Sequence, residues 1–155
     1  MKQDGYKFEY CSKPQTSGTY NWPPGDYCIA MRGKRCPNKQ FKSGNITWDD
    51  EDSNNANRKS GHLPFGVYNE DTAVNYCCRN DSPSESPILL PAASPFYLYR
   101  YKGNCQRVGH MKVTEEVVVF DDEDRSNANS AFGEHPMDSG SSGDHTLHLC
   151  LYEPL

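Results

Sequence analysis

Two stretches of this chain concentrate side chains able to do chemistry: WDDEDSNNAN at residues 48–57 and FDDEDRSNAN at residues 120–129. Seven of the ten positions agree at an offset of 72. Carboxylates and amides at this density have three uses. Short Asp and Asn side chains bond neighbouring backbone N–H groups and hold a turn, and a duplicated chain then carries that turn twice. Oxygens alternating at Asp50, Asp52 and Asn54, echoed at Asp122 and Asp124, form a candidate calcium set. The loop is not an EF-hand, because Asn55 stands at its sixth position and Gly61 at its twelfth. The third use is direct binding of sugar hydroxyls or peptide amides. Glycoside hydrolysis needs two carboxyl groups roughly 5–10 Å apart with different proton affinities. An exposed polar run provides no reason for such a difference, so no catalytic residue is assigned. The turn is the first expectation, with calcium and ligand binding as alternatives.

A second cluster has the opposite sign. MRGKRCPNKQFK, residues 31–42, holds Arg32, Lys34, Arg35, Lys39 and Lys42 and no acid. Such a turn could attract anionic groups through its field and hydrogen bonds, or is simply solvated. In PFYLYRY, Tyr97, Tyr99 and Tyr101 share one strand face, as a sugar platform or as core. Trp22 and Trp48 carry the same two readings. His145 and His148 would face opposite sides of a strand, which suits zinc poorly.

The elements that must position these groups read as β-strands. YKFEYC alternates aromatic and charged residues, and DYCIAM, NITW, TAVNYCCR, PFYLYRY, EEVVVF and TLHLCLY follow. WPPG, NDSPSESP, LPAASP and DSGSSGD punctuate them. No sustained 3.6-residue apolar stripe occurs. The expectation is a single all-β, disulfide-bonded domain, sandwich- or barrel-like, built from two pseudo-symmetric repeats at about residues 20–80 and 88–152. Residues 1–19 are read as an N-terminal extension with a strand, and 20–155 as the domain proper. The repeat favours Cys105–Cys150, with Cys36 and Cys28 sharing Cys77 and Cys78 in an unassigned order and Cys11 unpaired.

Seven cysteines in 155 residues point to an oxidising compartment, hence a secreted chain. Sequons at Asn45 and Asn80 are compatible with that. MKQDGYKFEY lacks the apolar core of a signal peptide, so a domain cut from a longer secreted protein is expected. The net charge of −5 argues against nucleic acid as a partner.

The ordered motifs WPPGDY (22–27), CPN (36–38), GNITWDDED, CCRND, ILLP with PFYL, NCQRVGHM, the second DDED and a final CLY resemble the C-terminal domain of apextrin-like proteins, the ApeC domain, from about residue 20 to 152. That resemblance implies a secreted, non-catalytic recognition module of innate immunity. It also implies a bacterial peptidoglycan or muramyl-peptide ligand and attachment to a larger, often perforin-like, protein. The alternative is a module that docks on anionic lipid or on an upstream pore-forming domain. No cofactor is required by either reading. The expected binding residues are Arg32, Lys34, Arg35, Lys39, Trp48, Tyr97, Tyr99 and Tyr101.

Overall fold

The computed structural model describes residues 7–11, 22–50, 57–122, 126–140 and 143–155. Eight strands form along it: β1 (Asp26–Ala30), β2 (Lys42–Trp48), β3 (Gly66–Tyr68), β4 (Thr72–Asn80), β5 (Phe96–Tyr99), β6 (Met111–Val119), β7 (Ser130–Gly133) and β8 (Thr146–Pro154). They join one antiparallel sheet in the order β6-β8-β5-β1-β4-β2-β7, with β3 on β4. No helix forms among the described residues, and so none is long and apolar enough to cross a membrane.

The all-β expectation holds, with the sheet open rather than closed. Its end strands, β6 and β7, do not pair with each other. The sheet nevertheless curls, because the ends of β2 and β6 meet through Trp48 and Phe120, whose rings lie 5.3 Å apart. Two short strands, β3 and β7, escape the sequence patterns; three or four residues are too few to show a period of two. Conversely, the described part of the N-terminal segment, 7–11, forms no strand. Its alternation serves packing without a ladder: Phe8 lies 6.0 Å from the Phe120 ring.

Both faces of the sheet are buried at its centre. Tyr27, Leu98, Cys77, Cys150 and Tyr152 face one cluster, which Phe41, Ile88 and Val108 cover from the loops. Cys28, Ile46, Trp48, Tyr76, Cys78, Tyr99 and Leu149 face the other, inside the curl. Each fully buried side chain of this size contributes about 1.5–3 kcal/mol. Three disulfides reinforce the lean core. Cys28–Cys78 joins registered neighbours on β1 and β4, while Cys36–Cys77 and Cys105–Cys150 tie loops to the opposite face. Adjacent cysteines on a strand point to opposite faces, so Cys77 and Cys78 cannot exchange partners. Cys11 is free and exposed.

The motifs WPPGDY, CCRND and NCQR meet in one polar lock where the central strands β1 and β4 begin and end. Asp26, 4 % exposed, accepts from Lys102 N (2.9 Å), Gly103 N (2.8 Å) and Asn80 Nδ2 (2.6 Å). Its own N–H donates to Gln106 Oε1 at 2.8 Å. A Cβ on Gly25 would lie 2.6 Å from that same oxygen, which is why the chain needs glycine there. Arg79, equally buried, donates to Asp81 and to the Trp22 carbonyl and lies over the Phe41 ring. Buried polar groups at this density are tolerable only when each is paired.

Candidate functional site

The basic turn is positioned from both ends. Met31 and Phe41 are buried, and between them Arg32, Lys34, Arg35 and Lys39 are exposed, as is Lys42 at the start of β2. Gly33 takes a left-handed φ of 66° to make the bend. Cys36–Cys77 then bonds the turn to β4. None of the five cations forms an ion pair among the described residues. The result is a positive surface tied to the sheet by a disulfide.

Beside this turn lies an open groove of about 340 Å³. β7, β2 and β4 run side by side there, placing Phe132, Asn45 and Asn75 in one cross-strand row. Ile46 points inward, so Ser43, Asn45 and Thr47 point outward. Phe132 is 67 % exposed and Phe65 39 %, and Lys34 reaches the rim. β7 can approach only because residue 44 is glycine: a Cβ there would lie 2.3 Å from the Glu134 carbonyl. Asn45 Oδ1 is buried without a hydrogen-bond partner. Sequence reasoning missed Phe65, Phe132 and Asn75. The dipeptide Phe-Gly at 65–66 and again at 132–133 was the available sign.

The aromatic residues expected to bind are divided by the fold. Trp48, Tyr99 and Tyr101 are buried in the cluster inside the curl and offer no surface to a sugar. Tyr97 alone of the three tyrosines is exposed, at 49 %, and its hydroxyl donates to Glu116. It lies on β5, whereas the basic turn follows β1. Trp22 is half-buried against the other cluster.

In the acidic loops, the described carboxylates serve the loops themselves. Asp50 Oδ2 accepts from Asn57 Nδ2 and Thr72 Oγ1, and Asp122 Oδ2 from Asn129 Nδ2. The Asp50–Asn57 and Asp122–Asn129 bonds are the same bond at the offset of 72. Asp49 bridges the two loops, donating its N–H to Asn129 and accepting from Ala128 N. Asp52, Asn54 and Asp124 lie outside the described residues. No group of three potential metal ligands occurs among the described ones.

Burial, with a smaller contribution from the Asp50 charge, pushes the Asp122 carboxyl from 3.8 to about 6. A carboxyl raised on folding penalises the fold wherever it is ionised, and the penalty fades as pH falls from about 6 towards 4. Asp122→Asn should therefore stabilise the protein at pH 7 by about 1–2 kcal/mol and add nothing at pH 4. Urea unfolding at the two pH values measures this; destabilisation at pH 7 would instead favour a cation held there.

His145 and Asp138 form a buried acid–imidazole pair, with Nδ1 and Oδ2 at 2.5 Å. The other ring nitrogen, Nε2, lies 2.9 Å from the Thr47 carbonyl, so neither nitrogen is available as a general base. His148 instead contacts Glu115 and Ser139. Of the two sequon amides, Asn80 is committed to Asp26 and Asn45 lines the groove.

The family model described as ApeC, the C-terminal domain of apextrin, matches residues 1–152. The match includes the segment 1–19 that the motifs left outside. No curated protein and no solved structure matches the chain.

Proposed function

Because this chain belongs to the ApeC family, the C-terminal domain of apextrin, we propose that it is a secreted, non-catalytic module recognising bacterial cell wall. The observation that carries this reading is the basic turn: exposed cations, without an ion pair among the described residues, fixed to the sheet by Cys36–Cys77. Muramyl carboxylates and teichoic phosphates are the anions of that wall, and charged donors recognise both. Three disulfides fit an extracellular setting. The paired nitrogens of His145 and the loop-bound carboxylates favour recognition over hydrolysis.

We read the halves as pseudo-repeats with one site. The neighbours β1-β4-β2 and β5-β8-β6 repeat the same order outward from the β1–β5 contact. The Asn45–Asn75 pair then corresponds to Val117–His148 in the second half, where His148 is already bonded to Glu115. The basic run has no counterpart there either, since YKGNCQR carries only Lys102 and Arg107.

Co-sedimentation with insoluble peptidoglycan tests the proposal. The variant Arg32→Glu/Lys34→Glu/Arg35→Glu should bind at least about tenfold more weakly, as expected from losing roughly 0.5–1 kcal/mol per contact. Wild-type binding should weaken as salt rises. Unchanged binding by the variant would remove the turn from the site. Binding to anionic vesicles with none to peptidoglycan would replace this function with membrane docking.

A further inference from the structure

The groove beside the basic turn has an occupant that the chain itself specifies. Asn45 begins the sequon Asn45-Ile46-Thr47, yet it lies on a strand paired on both sides, with β4 and with β7. Its cross-strand neighbour on β7 is Phe132, which leaves 67 % of its surface in water, and Phe65 stands in the same groove. Two exposed phenyl rings flanking one outward asparagine are the surroundings in which a pyranose ring packs, its C–H face against an aromatic ring. We propose that Asn45 carries an N-linked glycan whose first N-acetylglucosamine lies in this groove against Phe132.

The geometry of the amide agrees. Asn45 Oδ1 is buried and unpartnered, while the residue still lines the groove. The opposite branch of the planar amide, Nδ2, is the atom to which a sugar is attached. In that step a bond forms between Nδ2 and C1 of the sugar, and the bond from C1 to the diphosphate of a polyprenyl-diphosphate oligosaccharide breaks. The polyprenyl diphosphate leaves, and an Nδ2 proton passes to a base of the host transferase. The step precedes folding, because β2 must still be free of its two neighbours. Once the strands pair, the groove of about 340 Å³ receives the ring, and the phenyl surface is removed from water.

The second sequon makes the contrast. Asn80 Nδ2 donates to Asp26 Oδ2 within the polar lock. A sugar on Asn80 would displace a part-buried hydrogen bond to the buried Asp26, whereas a sugar on Asn45 covers exposed apolar surface. The inference does not rest on cell-wall recognition. Of the turn's cations only Lys34 lines the groove, and Arg32, Arg35 and Lys39 are exposed outside it.

The test uses the full chain secreted from an animal cell line. Glycopeptide mass spectrometry should find Asn45 occupied, with trimming to a single N-acetylglucosamine retained on it. The trimmed protein should melt about 2–4 °C above Thr47→Ala, which lacks the sequon but keeps both rings. In the Phe132→Ala background that difference should vanish. An unoccupied Asn45 in cells that glycosylate a control protein would overturn the proposal. So would an undiminished melting difference in Phe132→Ala, or protection of Phe132 by free chitotriose on the secreted protein. None of these results bears on peptidoglycan binding by the basic turn, so the two readings fail separately.

Discussion

Replacing Asp26 by alanine is expected to cost about 3–5 kcal/mol, the range seen when one partner of a buried charged network is removed. Three donors converge on this carboxylate: the Lys102 and Gly103 amides and the Asn80 side chain, at 2.6–2.9 Å. Alanine leaves all three part-buried donors without the carboxylate that is itself 4 % exposed, and a donor left without an acceptor carries a penalty of about 1–3 kcal/mol where water does not replace it. The loss extends beyond the three bonds. Asp26 fixes the turn around Gly103, where an added Cβ would lie 3.0 Å from the carboxylate. That turn also orients Gln106, which bonds the carbonyls of Ser84, Ser86 and Arg107. Thermal unfolding should show a melting temperature lowered by roughly 8–16 °C. Asp26→Asn, which keeps one acceptor oxygen, should recover part of the loss. A melting point within about 2 °C of wild type for the alanine variant would mean that the lock is not a source of stability.

Removing the Cys36–Cys77 bridge, as Cys36→Ser/Cys77→Ser, should cost roughly 4 kcal/mol, since it closes a loop with a sequence separation of 41. Its distinguishing effect is on binding. Without the bridge, the segment between Met31 and Phe41 keeps its buried ends but loses the covalent tie to β4. The ordering entropy of the cationic turn must then be lost at the moment of binding. Peptidoglycan affinity of the folded fraction should therefore fall together with stability. Removing Cys28–Cys78, with a separation of 50, should destabilise to a similar extent and leave the affinity of the folded fraction intact. Equal affinities for the two variants would show that pinning the turn does not matter for recognition. Low protein concentration and a melting curve on each sample keep the unfolded fraction out of the comparison.

The polar lock gives the family motifs a structural reason. Gly25 and Asp26 of WPPGDY, Arg79 and Asp81 of CCRND, and Gln106 of NCQRVGHM do not line the groove, and Arg79 meets the basic turn only at its buried anchor, Phe41. They hold the loops that cover one face of the sheet. In the acidic repeats the described Asp50 and Asp122 likewise bond the side-chain amides of their own loops. The residues most conspicuous in the chain are thus largely scaffold, whereas the candidate surface is made from plainer ones.

Local pattern was enough to determine the strand class, most strand positions, the partner of Cys105 and the family. These depend on alternation, spacing and motif order, all carried by neighbouring residues. Tertiary structure alone decided which side of each alternation is covered. Tyr97 and Tyr99 have the same local signature, yet one lies at an open part of the sheet and the other inside the curl. The partners of Cys77 and Cys78 likewise awaited the register of β1 on β4, because parity assigns a face only after two strands are aligned. The groove depended most on long-range assembly. Phe132 and Asn45 lie far apart in the chain and meet through a ladder between β2 and β7, and no periodicity within either segment encodes that pairing.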